Sequence, residues 1–176
     1  MKGIIWFRSD LRIEDNPALL KAAKSCDELI SVYFFSKDQW ALHNESNVKL
    51  EFLYNNLIFL EQALKKLNIP LCVIETKDYE SLSNDLASFA KLHSVKHIYW
   101  NNEFGINEER RDKAVLNTLK DVNISSINFI DQVIYKPGFL KTGQGKPFSV
   151  FTPFKRRWIE NFSIDCLDLE KPTKSL

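Results

Sequence analysis

Amide and carboxylate side chains cluster in the segment NNEFGINEERRD, residues 101–112. The segment follows a short apolar run and leads into a helical pattern, so Asn107 and Glu108 fall at the start of a helix. A carboxylate there can offer two oxygens to a flat heterocycle with two parallel N–H donors, as in a pterin, and each charge-assisted hydrogen bond contributes about 1.5–3 kcal/mol where water is excluded. The alternative is structural, because an Asx side chain can cap free N–H groups and a carboxylate is favourable at the positive end of the helix dipole. The spacing alone leaves both interpretations open.

Residues that perform covalent or acid–base chemistry form no recognisable motif in this sequence. GxGxxG does not follow the first apolar run, and GxxxxGK[ST] and GxSxG are absent. The cysteines Cys26, Cys72 and Cys166 are odd in number and lack CxxC spacing, which suits a reducing compartment better than a disulfide framework or a zinc site. We therefore predict no catalytic residue and no metal site, and a domain that holds a ligand without reacting with it.

Composition excludes several classes of protein. The 176 residues are 44% hydrophobic, enough for one domain with a real core, and their formal net charge of +1 gives no global attraction to nucleic acid or anionic membranes. The apolar runs are far shorter than the roughly 20 residues that a membrane span requires, and the chain does not open with a signal-peptide pattern. We predict a soluble, cytoplasmic protein without a membrane partner.

Five short apolar runs predict β-strands, because β-branched and aromatic residues in continuous runs are typical of strands buried on both faces of a parallel sheet. They are IIWF (4–7), LISVYFF (29–35), LCVI (71–74), HIYW (97–100) and INFI (127–130). Helical patterns lie between them, beginning with Asn16 and Pro17 and including leucines at alternating spacings of three and four from Leu50 to Leu67. The alternation predicts an α/β fold, a doubly wound, Rossmann-like, five-stranded parallel sheet with helices on both faces. Ligands of such sheets bind beyond the carboxyl ends of the strands.

The chain changes character after the last predicted strand. YKPGFLKTGQGKPF holds three of the five glycines and predicts a loop, and SVFTPFKRRWIENF predicts a short helix. We expect residues 1–135 to form the core of the α/β domain, residues 136–162 to complete it, and residues 163–176 to begin a linker to a further domain. Lys155, Arg156 and Arg157 favour a solvated helix face over a DNA contact.

Four motifs resemble, in the same order, those of the photolyase and cryptochrome family. WFRSDLRIEDNPAL (6–19) is similar to the WFRxDLRxxDNxAL signature that opens these proteins, and the likeness continues through DQWALHN (38–44) and INEERRD (106–112). VFTPFKRRW (150–158) resembles the corresponding segment of bacterial class I photolyases, which act on cyclobutane pyrimidine dimers. Together the motifs extend over most of the chain.

The resemblance implies an N-terminal domain that carries an antenna chromophore, usually 5,10-methenyltetrahydrofolate. It further implies a helical C-terminal FAD-binding domain, absent here, that splits pyrimidine dimers in UV-damaged DNA with light. Asn107 and Glu108 match the folate-contacting pair of the family, and His43 and Asn44 match an HN segment near the antenna. The implied partners are the folate, the chain's own C-terminal domain and, through the full-length protein, damaged DNA. Deazaflavin or flavin is an alternative antenna, and the chain alone is expected not to repair DNA.

The sequence is also compatible with two other functions. A cryptochrome photosensor shares this domain, and an unrelated doubly wound nucleotide-binding module shares the architecture. Whichever function applies, we expect Arg8, Asp10 and Arg12 of WFRSDLR to brace the loops at the edge of the sheet, by pairing with one another and with exposed backbone groups, more than to contact the antenna.

Overall fold

The computed structural model describes residues 1–164 of the chain. The strands are β1 (Lys2–Phe7), β2 (Glu28–Phe35), β3 (Leu71–Glu75), β4 (His97–Asn101) and β5 (Ser125–Phe129). The helices are α1 (Pro17–Ser25), α2 (Lys37–Leu42), α3 (Asn47–Lys65), α4 (Tyr79–Leu92), α5 (Ile106–Asp121) and α6 (Phe151–Asn161). The predicted alternation of strands and helices is confirmed, with α2 as an addition.

All five strands are parallel and lie in the order β3-β2-β1-β4-β5. The central strand β1 places Ile4 between Ile30 of β2 and Ile98 of β4. The chain first builds outward through β2 and β3, then returns to the other side of β1 for β4 and β5, so the winding direction reverses beside β1. This reversal is the position at which open α/β sheets bind ligands. The predicted doubly wound parallel sheet is confirmed.

The core consists of two apolar layers, one on each face of the sheet. Ile4 and Trp6 pack with α4 and α5 on one face, whereas Ile5 and Phe7 pack with α1 and α3 on the other. All four side chains are at most 1% exposed. Burial of each such side chain contributes about 1.5–3 kcal/mol, which is why β1 reads as a continuous apolar run.

The predicted start of α1 is confirmed. The side chain of Asn16 accepts a hydrogen bond from the backbone N–H of Leu19 at 3.0 Å, and Pro17 occupies the first helical position. A proline fits there because the missing N–H would have no partner inside the helix. Ser46 and Asp78 cap α3 and α4 in the same way.

The sequence pattern does not predict α2, which forms within the segment that follows β2. Ser36 caps it by accepting from the backbone N–H of Gln39 at 3.2 Å. None of its residues is buried, so it has no apolar stripe to reveal it. In α3 only Leu60 and Leu64 of the leucine stripe are fully buried, because the first half of that helix lines a cavity.

Residues 130–150 contain neither helix nor strand, as predicted for the glycine-rich segment. Gly138 and Gly145 have φ values of +80° and +75°, which glycine adopts without a steric penalty. The helix predicted from SVFTPFKRRWIENF is α6, whose three adjacent basic residues are exposed. Trp158 attaches α6 to Tyr135 with a T-shaped contact, the ring centroids being 5.8 Å apart. Apart from residues 163 and 164, the predicted linker lies outside the described residues.

Within residues 1–164, the helices are too short or too polar to cross a membrane.

Candidate functional site

A cavity of about 880 Å³ opens at the carboxyl edge of the sheet. Its floor is the segment that follows β1, and its walls come from the end of β2, from α2 and the first half of α3, and from the starts of α4 and α5. The side chains of Trp6, Tyr33, Trp40 and Tyr79 are among those that line it. A cavity of this volume, with aromatic walls and a few polar groups, is typical of cofactor sites.

Two arginines and two acids form a buried ion cluster beside the floor, here called the arginine cluster (Arg8, Arg111, Glu103 and Asp112). Nη1 of Arg8 donates to both carboxylate oxygens of Asp112 at 2.7 Å. Nη2 of Arg111 donates to Glu103 and to Asp112, each at 2.8 Å. The side chains of the two arginines are only 4% exposed. The cluster therefore ties together the end of β1, the segment after β4 and helix α5.

Aromatic rings complete the surroundings of the two guanidinium groups. The Trp6 ring centroid lies 4.8 Å from Cζ of Arg8 and 5.1 Å from Cζ of Arg111. The ring of Tyr79 lies on Arg111 as well, with its centroid at 5.0 Å from Cζ. Cation–π contacts of this kind strengthen as water is excluded, so the rings help to offset the desolvation of the charges.

The arginine cluster keeps Glu103 ionised. Burial by itself would raise the pKa of Glu103, but the charges of Arg8 and Arg111, with hydrogen bonds from Ser9 and Arg111, hold that pKa below its ordinary value. Burial lowers the pKa of Arg8, and the adjacent Arg111 lowers it further, whereas Asp112 and Glu103 raise it. Two positive and two negative charges thus balance one another inside the protein.

A second polar network braces the loop that follows β1. Asp10 accepts from the backbone N–H of Arg8 at 2.8 Å and from Nδ2 of Asn101 at 2.6 Å. Nδ2 of Asn101 also donates to the side-chain oxygen of Asn16 at 2.8 Å. These contacts connect the loop to the end of β4 and to the start of α1, so Asp10 braces the loop as expected, and it also lines the cavity.

The ion-pair partners of Arg8 and Arg12, the two arginines of WFRSDLR, differ from those expected. Arg8, Asp10 and Arg12 interact with one another through backbone groups, but the guanidinium of Arg8 pairs with Asp112 and that of Arg12 pairs with Asp131 at 2.6 Å. Both carboxylates come from much later in the chain. The motif therefore anchors distant segments rather than forming a closed local network.

Three of the four predicted ligand residues meet at the cavity. Asn107 and Glu108 reach it from α5, and His43 reaches it from the end of α2. Nδ2 of Asn107 lies 3.5 Å from Nε2 of His43, so the two side chains are in contact where they line the cavity. Asn44 is exposed, has a φ of 51°, and is not among the residues that line the cavity.

The start of α5 bears on the structural interpretation of its polar residues. Gly105 is the N-cap and no side chain caps the helix there, so the interpretation of Asn107 as an Asx cap is wrong. Glu108 lies in the first turn, where its charge is favourable to the helix dipole. A Cβ on Gly105 would lie 2.0 Å from Oε2 of Glu108, which shows that the carboxylate folds over the glycine. The other oxygen, Oε1, lies 3.4 Å from the hydroxyl of Tyr79.

Glu103, Arg111 and Tyr79 line the cavity, but no sequence pattern predicted them as site residues. Charged residues are almost never fully buried unless paired, and the pairing here joins segments that are distant in sequence. Position was an available signal for Tyr79 and Glu103, which follow closely on the ends of β3 and β4, but not for Arg111, which lies within α5.

The arrangement is suited to holding a flat, polar ligand. It offers aromatic walls, a carboxylate near an amide and an imidazole, and an arginine cluster whose charges are paired with one another. Among residues 1–164, no group of three or more His, Cys, Asp or Glu side chains is placed to hold a metal ion.

Comparison of sequences identifies relatives of the chain. Residues 3–174 match the sequence model of the DNA photolyase family. Deoxyribodipyrimidine photo-lyase of Vibrio cholerae is 31% identical over 169 residues, which cover 96% of this chain and 36% of the relative. The Escherichia coli protein of the same name is 35% identical over 158 residues, 89% of this chain and 33% of the relative. The chain spans about a third of the length of these curated relatives.

Comparison of structures agrees with the family match. A bacterial class III photolyase from Agrobacterium tumefaciens is similar with a TM-score of 0.79 and 26% identity, over 99% of this chain and 34% of that protein. A cryptochrome from Synechocystis is similar with a TM-score of 0.84, over 99% of this chain and 36% of that protein. At 23% identity, the cryptochrome supports the fold alone.

The substitution Asp112→Asn tests the arginine cluster. Removing one partner of a buried ion pair leaves an uncompensated charge and costs about 3–5 kcal/mol, so we expect the free energy of unfolding to fall by that amount in urea denaturation. Asp121→Asn is the matched control, because Asp121 is exposed at the end of the same helix, and we expect a change below about 0.5 kcal/mol. Equal effects of the two substitutions would contradict the role of the cluster.

Acid should reveal the ionised state of Glu103. Its pKa is lower in the folded protein than its ordinary value of 4.5, so its charge adds stability above about pH 4.5 that is lost as the pH falls through the folded pKa. Glu103→Gln should lower stability at neutral pH and reduce the loss of stability below about pH 4.5, as measured by urea unfolding over a pH series. The exposed Glu109→Gln should keep the wild-type pH dependence. Parallel pH curves for wild type and Glu103→Gln would rule out this explanation.

Proposed function

The chain belongs to the DNA photolyase family, and from that premise we propose that it holds a light-harvesting folate, 5,10-methenyltetrahydrofolate, within a deoxyribodipyrimidine photo-lyase. The observation that carries the proposal is the meeting of His43, Asn107 and Glu108 at one cavity. His43 and Asn107 are 64 residues apart in sequence, so the fold gathers them from separate helices.

The residues of the cavity fit a folate. A pterin ring presents a ring N–H beside an amino group, and the carboxylate of Glu108 can accept both in a charge-assisted contact. Asn107 and His43 supply further polar atoms beside it, and Trp40 and Tyr79 supply aromatic surface. Asn44 enters the proposal only through its position next to His43.

A bound folate supplies absorption of near-ultraviolet light and transfer of the excitation energy. The chain's own residues bind the ring, orient it and exclude water from it. This division agrees with an arginine cluster whose charges are paired with one another, which leaves Glu108 available to the ligand. An antenna domain needs a fixed orientation and needs no general acid, general base or nucleophile.

We further infer that the whole protein repairs cyclobutane pyrimidine dimers in UV-damaged DNA with light. Supporting relatives carry the name deoxyribodipyrimidine photo-lyase, and the chain spans about a third of their length. In this proposal FAD binds to a helical C-terminal domain outside the chain. Residues 1–135 form the core of the antenna domain, residues 136–162 complete it, and residues 163–176 begin the linker.

The two alternative functions, an unrelated nucleotide-binding module and a cryptochrome photosensor, are not equally compatible with the relatives of the chain. The interpretation as an unrelated nucleotide-binding module is wrong, because the family match extends over residues 3–174. A cryptochrome photosensor has the same fold, but the relatives named above at 31% and 35% identity carry the photo-lyase name.

Glu108→Gln tests the folate site. The substitution replaces one acceptor oxygen with an N–H donor and removes the charge, so a contact of about 1.5–3 kcal/mol per charged hydrogen bond is lost and folate affinity should fall at least about tenfold. Affinity is measured in the full-length protein by titrating 5,10-methenyltetrahydrofolate and following near-ultraviolet absorbance. Glu109→Gln, at the exposed neighbouring carboxylate, should bind as wild type does. Unchanged affinity in Glu108→Gln would refute the assignment.

Light-dependent repair tests the proposal for the whole protein. The full-length protein should convert cyclobutane dimers in irradiated DNA to pyrimidines under near-ultraviolet or blue light, and not in the dark. The 176-residue chain should not do so, because in this proposal the FAD site lies outside it. Binding of folate without repair by the full-length protein would favour the cryptochrome alternative.

A further inference from the structure

Tyr79 occupies a fixed position at the edge of the cavity. It is the first residue of α4, directly after the N-cap Asp78. The carboxylate of Asp78 accepts from the backbone N–H and from the hydroxyl of Ser81, both at 2.8 Å. These bonds fix the first helical turn, and the half-buried Tyr79 extends from that turn to line the cavity.

The ring of Tyr79 is held from below by the arginine cluster. Cζ of Arg111 lies 5.0 Å from the Tyr79 ring centroid and 5.1 Å from the Trp6 ring centroid. Arg111 is itself held by Glu103 and Asp112, each at 2.8 Å. The position of the tyrosine ring is therefore coupled to the sheet through charges that cannot move without losing a partner.

The hydroxyl of Tyr79 faces the carboxylate of Glu108. It donates to Oε1 across 3.4 Å, while Oε2 lies over Gly105, where a Cβ would approach to 2.0 Å. Each carboxylate oxygen is thus placed by a different neighbour. Burial raises the pKa of Tyr79, Arg111 opposes the rise, and Glu108 and Glu103 add to it, so the phenol remains a proton donor throughout the neutral range.

We infer that Tyr79 is a positioning residue for Glu108, which it orients toward the N–H edge of a bound heterocycle. The inference rests on the proposed folate function and extends it by one residue. In this arrangement the phenol and the unsubstituted Cα of Gly105 together select the carboxylate orientation, and the arginine cluster fixes the phenol. A donor that touches only one oxygen leaves lone pairs on both for the ligand.

The decisive experiment compares Tyr79→Phe with wild type in the full-length protein. Phenylalanine keeps the ring on Arg111 and removes only the hydroxyl, so folate affinity should fall about two- to tenfold, the equivalent of one hydrogen bond. The absorption maximum of the bound folate should shift, because its polar edge meets a differently oriented carboxylate. The thermal midpoint of the ligand-free protein should stay within about 2 °C of wild type. Tyr54→Phe is the matched control, since Tyr54 is 65% exposed on α3, and it should change none of these quantities.

Gly105→Ser reaches the same carboxylate by a different route. The backbone of Gly105 has φ −70° and ψ 150°, which serine adopts freely, and serine is a favourable N-cap. Its Cβ displaces Glu108, so folate affinity should fall while the helix remains stable.

Equal affinity and an identical absorption maximum in wild type and Tyr79→Phe would overturn the inference and leave the folate proposal in place. Failure of the wild-type protein to bind folate would overturn both.

Discussion

The buried contact between Arg8 and Asp112 is the interaction on which the rest of the site depends. It joins residues 104 positions apart, one directly after the first strand and the other on the second turn of α5. Removal of these charges from water is costly, and it is tolerated because Arg111 and Glu103 complete the set of charges and the ring of Trp6 covers it. Displacement of any one of the four side chains would leave a buried charge without its partner, so the cluster restricts the positions that these side chains can adopt. It therefore fixes the start of α5, and with it Glu108, relative to the sheet.

The fold was predictable wherever burial follows a local period. β1 reads as continuous apolar residues because both faces of it are covered, and α1 is marked by Asn16 and Pro17 because capping chemistry is local. α2 was not predictable for the complementary reason. It buries none of its residues, and it is stabilised by the Ser36 cap and by the contact between Phe35 and Trp40, whose ring centroids are 4.7 Å apart. A hydrophobic pattern cannot report a helix that contributes nothing to the core.

The site was predictable only in part, and the division has a physical origin. Resemblance to a family pointed to Asn107, Glu108 and His43, and the structure brings these side chains to one cavity. Spacing alone could not separate a ligand from a helix-terminal charge at Glu108, because the first turn of a helix favours a carboxylate in either case. Arg111 was beyond sequence reasoning, since its burial follows from partners that the topology brings together and not from any periodic pattern. Long-range charge pairing becomes visible only once the sheet order is known.

The two walls of the cavity differ in what holds them, and this difference determines how a bound chromophore would be oriented. The wall formed by α5 and Tyr79 is coupled to the sheet through the arginine cluster, whereas α2 contributes His43 from a helix with no buried residue. The wall held by the arginine cluster carries the carboxylate, which makes the directional contact in the proposed folate site. In the proposed antenna role, energy transfer would depend on the angle between donor and acceptor, which the wall held by the arginine cluster would set. In the proposed folate site, the orientation of the ligand would thus depend on ion pairs that hold the wall opposite α2, and α2 would add contact from a helix without buried residues.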